Sequence, residues 1–114
     1  LDLSNNDLTD KAVIALAQSG RLKNLVSLNL SKNNISDVGA QALASSQTLK
    51  NLKKLNLNFN RIEDDGARAL AKSSILDNLE SLKLGQNKIG TEGANALNAS
   101  KKLKNLTHPI FGFY

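Results

Sequence analysis

The chain contains no cysteine, no methionine and no tryptophan, and only one proline and one histidine. Without thiols there is no disulfide, no thiolate metal site and no cysteine nucleophile. The single imidazole, His108, excludes a multi-histidine metal site, and any Ser-His-Asp arrangement would have to run through it. Long apolar runs are also missing: Ala12 to Ala17 is far short of the roughly 18 residues of a membrane-spanning helix. There is no basic-then-apolar leader. The chain opens on Leu1-Asp2-Leu3, already inside a patterned segment, and so reads as an excised piece of a longer protein. What is present suits one small folded domain: 114 residues, 40% hydrophobic and 22% charged, with a net charge of +5. That charge permits acidic partners without demanding them.

The organisation lies in an internal repeat. Leu1-Asp2-Leu3 recurs as Leu28-Asn29-Leu30, Leu55-Asn56-Leu57 and Leu82-Lys83-Leu84, each step 27 residues. Asn6, Asn33, Asn60 and Asn87 align, as do Leu8, Ile35, Ile62 and Ile89. Leu16, Leu43, Leu70 and Leu97 form another column, and Leu22, Leu49, Leu76 and Leu103 a further one. Four units follow, 1–27, 28–54, 55–81 and 82–108, with 109–114 as a terminal strand or the remnant of a cap. In each unit Leu-x-Leu alternates with period two, which puts both side chains on one face of a short strand. Asp10, Asp37, Asp64 and Thr91 then stand where a helix N-cap is expected. The predicted helices are 12–17, 39–44, 66–71 and 93–98. One strand per unit with a helical return makes neighbouring strands parallel, joined by right-handed crossovers.

The run Leu52-Lys-Lys-Leu55-Asn-Leu57-Asn-Phe-Asn60-Arg-Ile62 resembles a leucine-rich repeat, closest to the helix-bearing, ribonuclease-inhibitor-like class. The Gly-Ala-x-Ala-Leu-Ala signature at 39–44 and 66–71 is similar to the GALA-type repeats of bacterial effectors. The resemblance extends from residue 1 to about 108; Ala12 replaces the glycine in the first unit, and Pro109-Ile110-Phe111 departs from Leu-x-Leu. It implies an α/β solenoid with a parallel sheet on the concave side and helices on the convex side. Simple geometry leads to the same shape. Strands stack about 4.8 Å apart, while packed helices need roughly 8–10 Å, so the stack must curve with the helices outside.

Most polar columns read as scaffold. A buried Asn after each strand offers an acceptor and two donors to the backbone of adjacent turns. The carboxylates at 37, 64, 65 and 92 read as capping and dipole compensation rather than acid–base chemistry. Gly39, Gly66 and Gly93 come once per unit, as close helix packing requires. The sequons at Asn29, Asn34, Asn98 and Asn105 barely exceed the roughly two that such a composition produces by chance. His108 has no nucleophile or carboxylate beside it in any motif, and no catalytic constellation, metal site or cofactor-binding loop is read in the chain.

The outward positions of the strands are the ones left free to vary, and a rigid sheet carrying variable side chains is a protein-recognition surface. The candidate contact residues are Asn29, Lys32, Lys54, Asn56, Asn58, Phe59, Lys83 and Gln86. Phe59 stands in an otherwise polar column: it is either an exposed anchor or a ring folded over the edge of the core. Lys32 and Lys54 lie in neighbouring columns, placed to pair with acidic groups of a partner. Acidic residues gather where strand leads to helix and basic ones where helix leads back to strand, which reads as a solvated rim. The lysines lack interleaved aromatics, which argues against nucleic acid; no membrane or small-molecule substrate is expected either.

The expected function is therefore a non-catalytic module binding a protein partner on the concave face. The resemblance also implies two alternatives, an inhibitor of ribonuclease-inhibitor type and the targeting part of a larger effector such as a ubiquitin-ligase adaptor. It implies a cytoplasmic protein, with delivery into a host cell if it is an effector. Phe111, Phe113 and Tyr114 are placed to cover the C-terminal end of the core, whereas the N-terminal end is bare and disposed to end-to-end self-association.

Overall fold

The computed structural model describes residues 1–111. Seven elements alternate along the chain: α1 (Asp10–Ala17), β1 (Ser27–Asn29), α2 (Asp37–Ala44), β2 (Lys54–Asn56), α3 (Asp64–Lys72), β3 (Ser81–Lys83) and α4 (Thr91–Asn98). Single 3₁₀ turns, Gly20–Leu22 and Gln47–Leu49, lead back towards β1 and β2. The strands form a parallel sheet in the order β1-β2-β3, with Leu28 opposite Leu55 and Leu55 opposite Leu82. Each partner is thus 27 residues along, and the inward leucines of successive strands stack directly on one another. The helices lie beside one another in the same order, α1 to α4.

Helices of eight or nine residues are marginal on their own; burying one face holds these in place. In α2 that face is Gly39, Ala40, Leu43 and Ala44, and in α3 it is Gly66, Ala67, Leu70 and Ala71. The core behind them consists of leucines and isoleucines with less than 2% of their surface exposed, among them Leu30, Ile35, Leu49, Leu57, Ile62 and Leu79.

The sheet has three strands among the described residues, not four with a fifth beyond. The first unit contributes one bridge, Asp2 to Asn29. Leu1 is correspondingly 51% exposed rather than core. At the other end the Leu84 N–H bonds to the Ile110 carbonyl at 3.1 Å. Pro109 has no N–H to extend the sheet. Ile110 is buried there, while Phe111, expected to cover the core, is 40% exposed. Phe113 and Tyr114 lie outside the described residues.

Repeated polar side chains couple each unit to the next. Asn60 Nδ2 donates to the carbonyls of Leu30, Leu57 and Asn58, and its Oδ1 accepts the Ile35 N–H at 3.0 Å. Asn33 and Asn87 repeat the arrangement. Ser46, Ser73 and Ser100 donate to the carbonyls of Ala17, Ala44 and Ala71, at or next to the end of the helix in the unit before. Asn51, Asn78 and Asn105 donate to carbonyls 28 residues earlier. No buried side-chain nitrogen or oxygen among the described residues lacks a partner.

The aspartates differ from expectation. Asp10, Asp37 and Asp64 are the first helical residues, and the N-caps are Thr9, Ser36, Glu63 and Gly90, none of which caps through its own side chain. Each of the three aspartates reaches instead to the start of the following helix. Asp10 Oδ1 accepts the N–H groups of Ser36 and Gly39 at 2.8 and 3.1 Å, and its other oxygen accepts the Ser36 hydroxyl. Asp37 accepts the Glu63 N–H at 2.7 Å. Asp64 accepts those of Gly90 and Gly93 at 2.7 and 3.2 Å. Orphan N–H groups at a helix start are therefore satisfied from the neighbouring unit. Thr91 is likewise the first residue of α4 rather than its cap.

Candidate protein-binding face

The solvent side of the sheet is built by alternation: with Leu28, Leu55 and Leu82 inward, the residues on either side of each must point out. Ser27, Lys54 and Ser81 form one row across the strands, and Asn29, Asn56 and Lys83 the next. A shallow groove of ≈ 330 Å³ crosses both rows and is bordered at its far end by His108. Lys32, Lys54, Phe59 and Gln86 are exposed, and Asn29, Asn56, Asn58 and Lys83 are half-buried. Of the eight predicted residues, Asn29, Lys54, Asn56 and Lys83 line this groove, while Lys32, Asn58, Phe59 and Gln86 lie in the turns that follow the strands.

Three of them are more committed to the fold than expected. Asn29 Oδ1 accepts the Ser31 N–H and hydroxyl at 3.0 and 2.7 Å. Asn56 Oδ1 accepts the Asn58 N–H at 3.0 Å, and Asn58 Oδ1 the Gly85 N–H at 2.7 Å. Their oxygens hold the turn that follows each strand, and the Nδ2 donors are the part of these side chains not used by those turns. Asp2 does the same in the first unit, where the Ser4 hydroxyl and then the Ser4 N–H hold its carboxyl below the ordinary carboxylate range.

The turn after each strand has a property that the residue types conceal. Asn5, Lys32, Phe59 and Gln86 all have φ between 56° and 57°. In this left-handed region the Cβ of an L-residue crowds the following carbonyl oxygen; asparagine tolerates it, and a bulky side chain is an outlier there. The backbone is held by bonds to the next unit, Lys32 N–H to Asn58 and Phe59 N–H to Gly85, each 2.9 Å. Of the two readings of Phe59, the ring does not fold over the core: the residue is 51% exposed. Lys32 Nζ sits 6.0 Å from its ring centroid, at the limit of a cation–π contact.

The remaining charges serve elsewhere. Arg68 on α3 pairs with Asp65 at 2.8 Å and with Glu92 on α4 at 2.7 Å, a bridge between helices with no counterpart in the other units. Asp37, Glu63, Asp64 and Asp65 line a small hollow with Lys88, but Asp37 and Asp64 are occupied by helix N–H groups. Among the described residues no cluster of three or more His, Cys, Asp or Glu is placed to hold a metal ion. His108 Nδ1 lies 2.9 Å from the Thr107 hydroxyl, an exposed contact between neighbouring residues. No helix among the described residues is long and apolar enough to cross a membrane.

The inter-unit aspartate bonds, the serine clamps and the left-handed column escaped the sequence reading. The serines at 19, 46, 73 and 100 share the 27-residue register and were legible as a column; the other two features carry no local signal.

Comparison with known families places these observations. Residues 23–72 match the model described as leucine-rich repeats in two copies, and residues 1–17 and 77–97 match a second leucine-rich-repeat model. A search of curated proteins found no match to the chain. Stacked parallel strands, a helix in every unit and an asparagine bonded between units agree with those matches, which together span most of the sequence. The chain belongs to the leucine-rich repeats, with an α/β fold.

Proposed function

We propose that the chain is a non-catalytic module that takes a protein partner on its sheet face, and that its four 27-residue units wind as a right-handed solenoid with that sheet on the concave side. Leucine-rich-repeat domains generally mediate protein–protein interaction, which supports the first part. The smaller spacing of strands than of packed helices supports the second. The observation that carries the reading is Phe59: an aromatic ring 51% exposed, at a backbone position that suits asparagine, with Lys32 beside it. An exposed aromatic ringed by polar groups has the composition of an interface anchor. The resemblance of the helices to bacterial effector repeats supports a host-cell protein as the partner.

The test is affinity capture from host and own-cell lysates, with wild type and a Phe59→Ala/Lys32→Glu variant in parallel. A partner retained by wild type and lost by the folded variant is the expected result. Equal retention by both moves recognition to a rim or to the helices and refutes the assignment. In isolation the chain also self-associates end to end, since Leu1 is exposed and Leu3, Leu8 and Leu22 are only partly covered. Sedimentation showing a clean monomer at rising concentration argues against that.

A further inference from the structure

Beyond the first unit, the described part of the sheet face has one sign of charge. In units two to four its outward residues include Lys32, Lys54 and Lys83 and no carboxylate. The acidic residues of these units stand at the helix starts or between helix and strand, where Glu80 faces Lys53 at 4.0 Å. The nearest carboxylate on the face is Asp2, at the first-unit end of the row Asn29, Asn56 and Lys83, engaged by Ser4. The rest of the face is Ser, Asn and Gln, which read polar groups of either kind, plus the ring of Phe59. An open polar groove with lysines on two adjacent strands and one exposed ring at its edge is complementary to a strip of chain rather than to an enclosed small molecule.

We infer that the partner presents an extended acidic segment: carboxylates two residues apart lying over Lys54 and Lys83, followed by an apolar side chain that packs on Phe59. This rests on the sheet face being the binding surface and adds the chemistry of what it binds. The spacing comes from the register. Lys83 lies opposite Asn56, which is two residues along β2 from Lys54, so the two lysine Cα atoms are about 8 Å apart at ordinary strand dimensions. In an extended segment, side chains at i and i+2 share a face about 6.6 Å apart, a difference that lysine stems absorb. Lys32, beside the Phe59 ring, adds a third positive charge at the apolar end. The face is a poor fit to single-stranded nucleic acid, which stacks successive bases on several aromatics; Phe59 is the one exposed Phe, Tyr or Trp ring on this face among the described residues.

The experiment is selection of random displayed peptides on the full chain, followed by synthesis of the consensus peptide and fluorescence-polarisation titration. The expected consensus has two acidic residues in an i, i+2 pair and a nearby aromatic or large aliphatic residue. Its affinity falls about tenfold in Lys54→Glu and about 30-fold in Phe59→Asn, and raising salt weakens it. Circular dichroism confirms that both variants are folded. Peptides that depend on Phe59 but are neutral or basic, or that ignore Lys54→Glu, overturn the acidic segment and leave the binding face standing. Peptides indifferent to both variants, or no enrichment, overturn both. An oligothymidine that binds wild type more tightly than the consensus peptide and is lost in Lys54→Glu overturns the inference in favour of nucleic acid.

Discussion

Replacing Gly66 by alanine separates helix propensity from the contact between units. Within a helix, Gly→Ala ordinarily stabilises by roughly 1 kcal/mol. Here a Cβ would lie 2.6 Å from Asp37 Oδ1, 2.7 Å from Ile62 Cγ2 and 3.1 Å from Ala40 Cβ. None of these neighbours moves freely. Asp37 Oδ1 is held by the Glu63 N–H at 2.7 Å, and giving up that charge-assisted bond costs about 1.5–3 kcal/mol. Ile62 is fully buried, and forcing an extra methyl against a packed core costs about 1–3 kcal/mol. After subtracting the propensity gain, the net loss is about 1.5–5 kcal/mol, a fall of roughly 6 °C or more in Tm for a domain of this size. The aligned residue in the first unit is Ala12, whose N–H bonds to the Thr9 carbonyl rather than to a carboxylate. There Ala12→Gly should cost the ordinary amount, about 1 kcal/mol, so that one sequence column shows both signs. Thermal and urea unfolding followed by far-UV circular dichroism measure both variants. Asp37→Ala/Gly66→Ala should lose less than the sum of its single changes, because removing the carboxylate vacates part of the space. A higher Tm for Gly66→Ala refutes the argument.

Three further outcomes are expected. Asn60→Ala removes four hydrogen bonds from a buried site and should cost about 3 kcal/mol or more, whereas Asn6→Ala, at an exposed residue, should cost under about 0.5 kcal/mol; urea titration compares them. Ser73→Ala frees the Ala44 carbonyl and the N–H groups of Ile75 and Leu76, and should cost about 1–2 kcal/mol, with faster amide exchange at the end of α2. At position 59, asparagine should be about 1 kcal/mol more stable than alanine, since both lose the ring and only asparagine suits φ 57°; equal midpoints would contradict the left-handed backbone there.

The leucine columns were legible because alternation with period two and a fixed 27-residue step leave little choice of which residues face inward. Asn33, Asn60 and Asn87 were legible for a related reason: an amide repeated among leucines has to be satisfied by neighbouring backbone. The aspartates were misplaced because the N-cap rule is local, while their bonds to the next helix span 26 to 29 residues. The glycine of each helix was assigned to packing, and its closest constraint is that same carboxylate. The left-handed column was hidden because only Asn5 has a residue type that announces it; Lys32, Phe59 and Gln86 do not. At the C-terminal end the register pointed to Phe111 as inward, but beyond Pro109 the chain turns and Ile110 takes the core.

The repeated polar residues and the varied ones divide the work. Asparagine at 33, 60 and 87, aspartate at 10, 37 and 64, and serine at 46, 73 and 100 all bond to an adjacent unit. A change at any of them disturbs a contact on which the stack depends. The left-handed column is different. At Asn5, Lys32 and Phe59 its backbone is held by N–H bonds to the next unit, which do not depend on the side chain, and the side chains of the column run Asn, Lys, Phe, Gln. The stack therefore tolerates variation there as long as the conformational penalty is met. Asparagine meets it most easily, and Phe59 departs furthest from asparagine while leaving about half of itself in water. Folding alone does not account for a large aromatic at that position. Under the proposed function a partner covers the ring, and the apolar area left exposed in the free chain is then buried on binding.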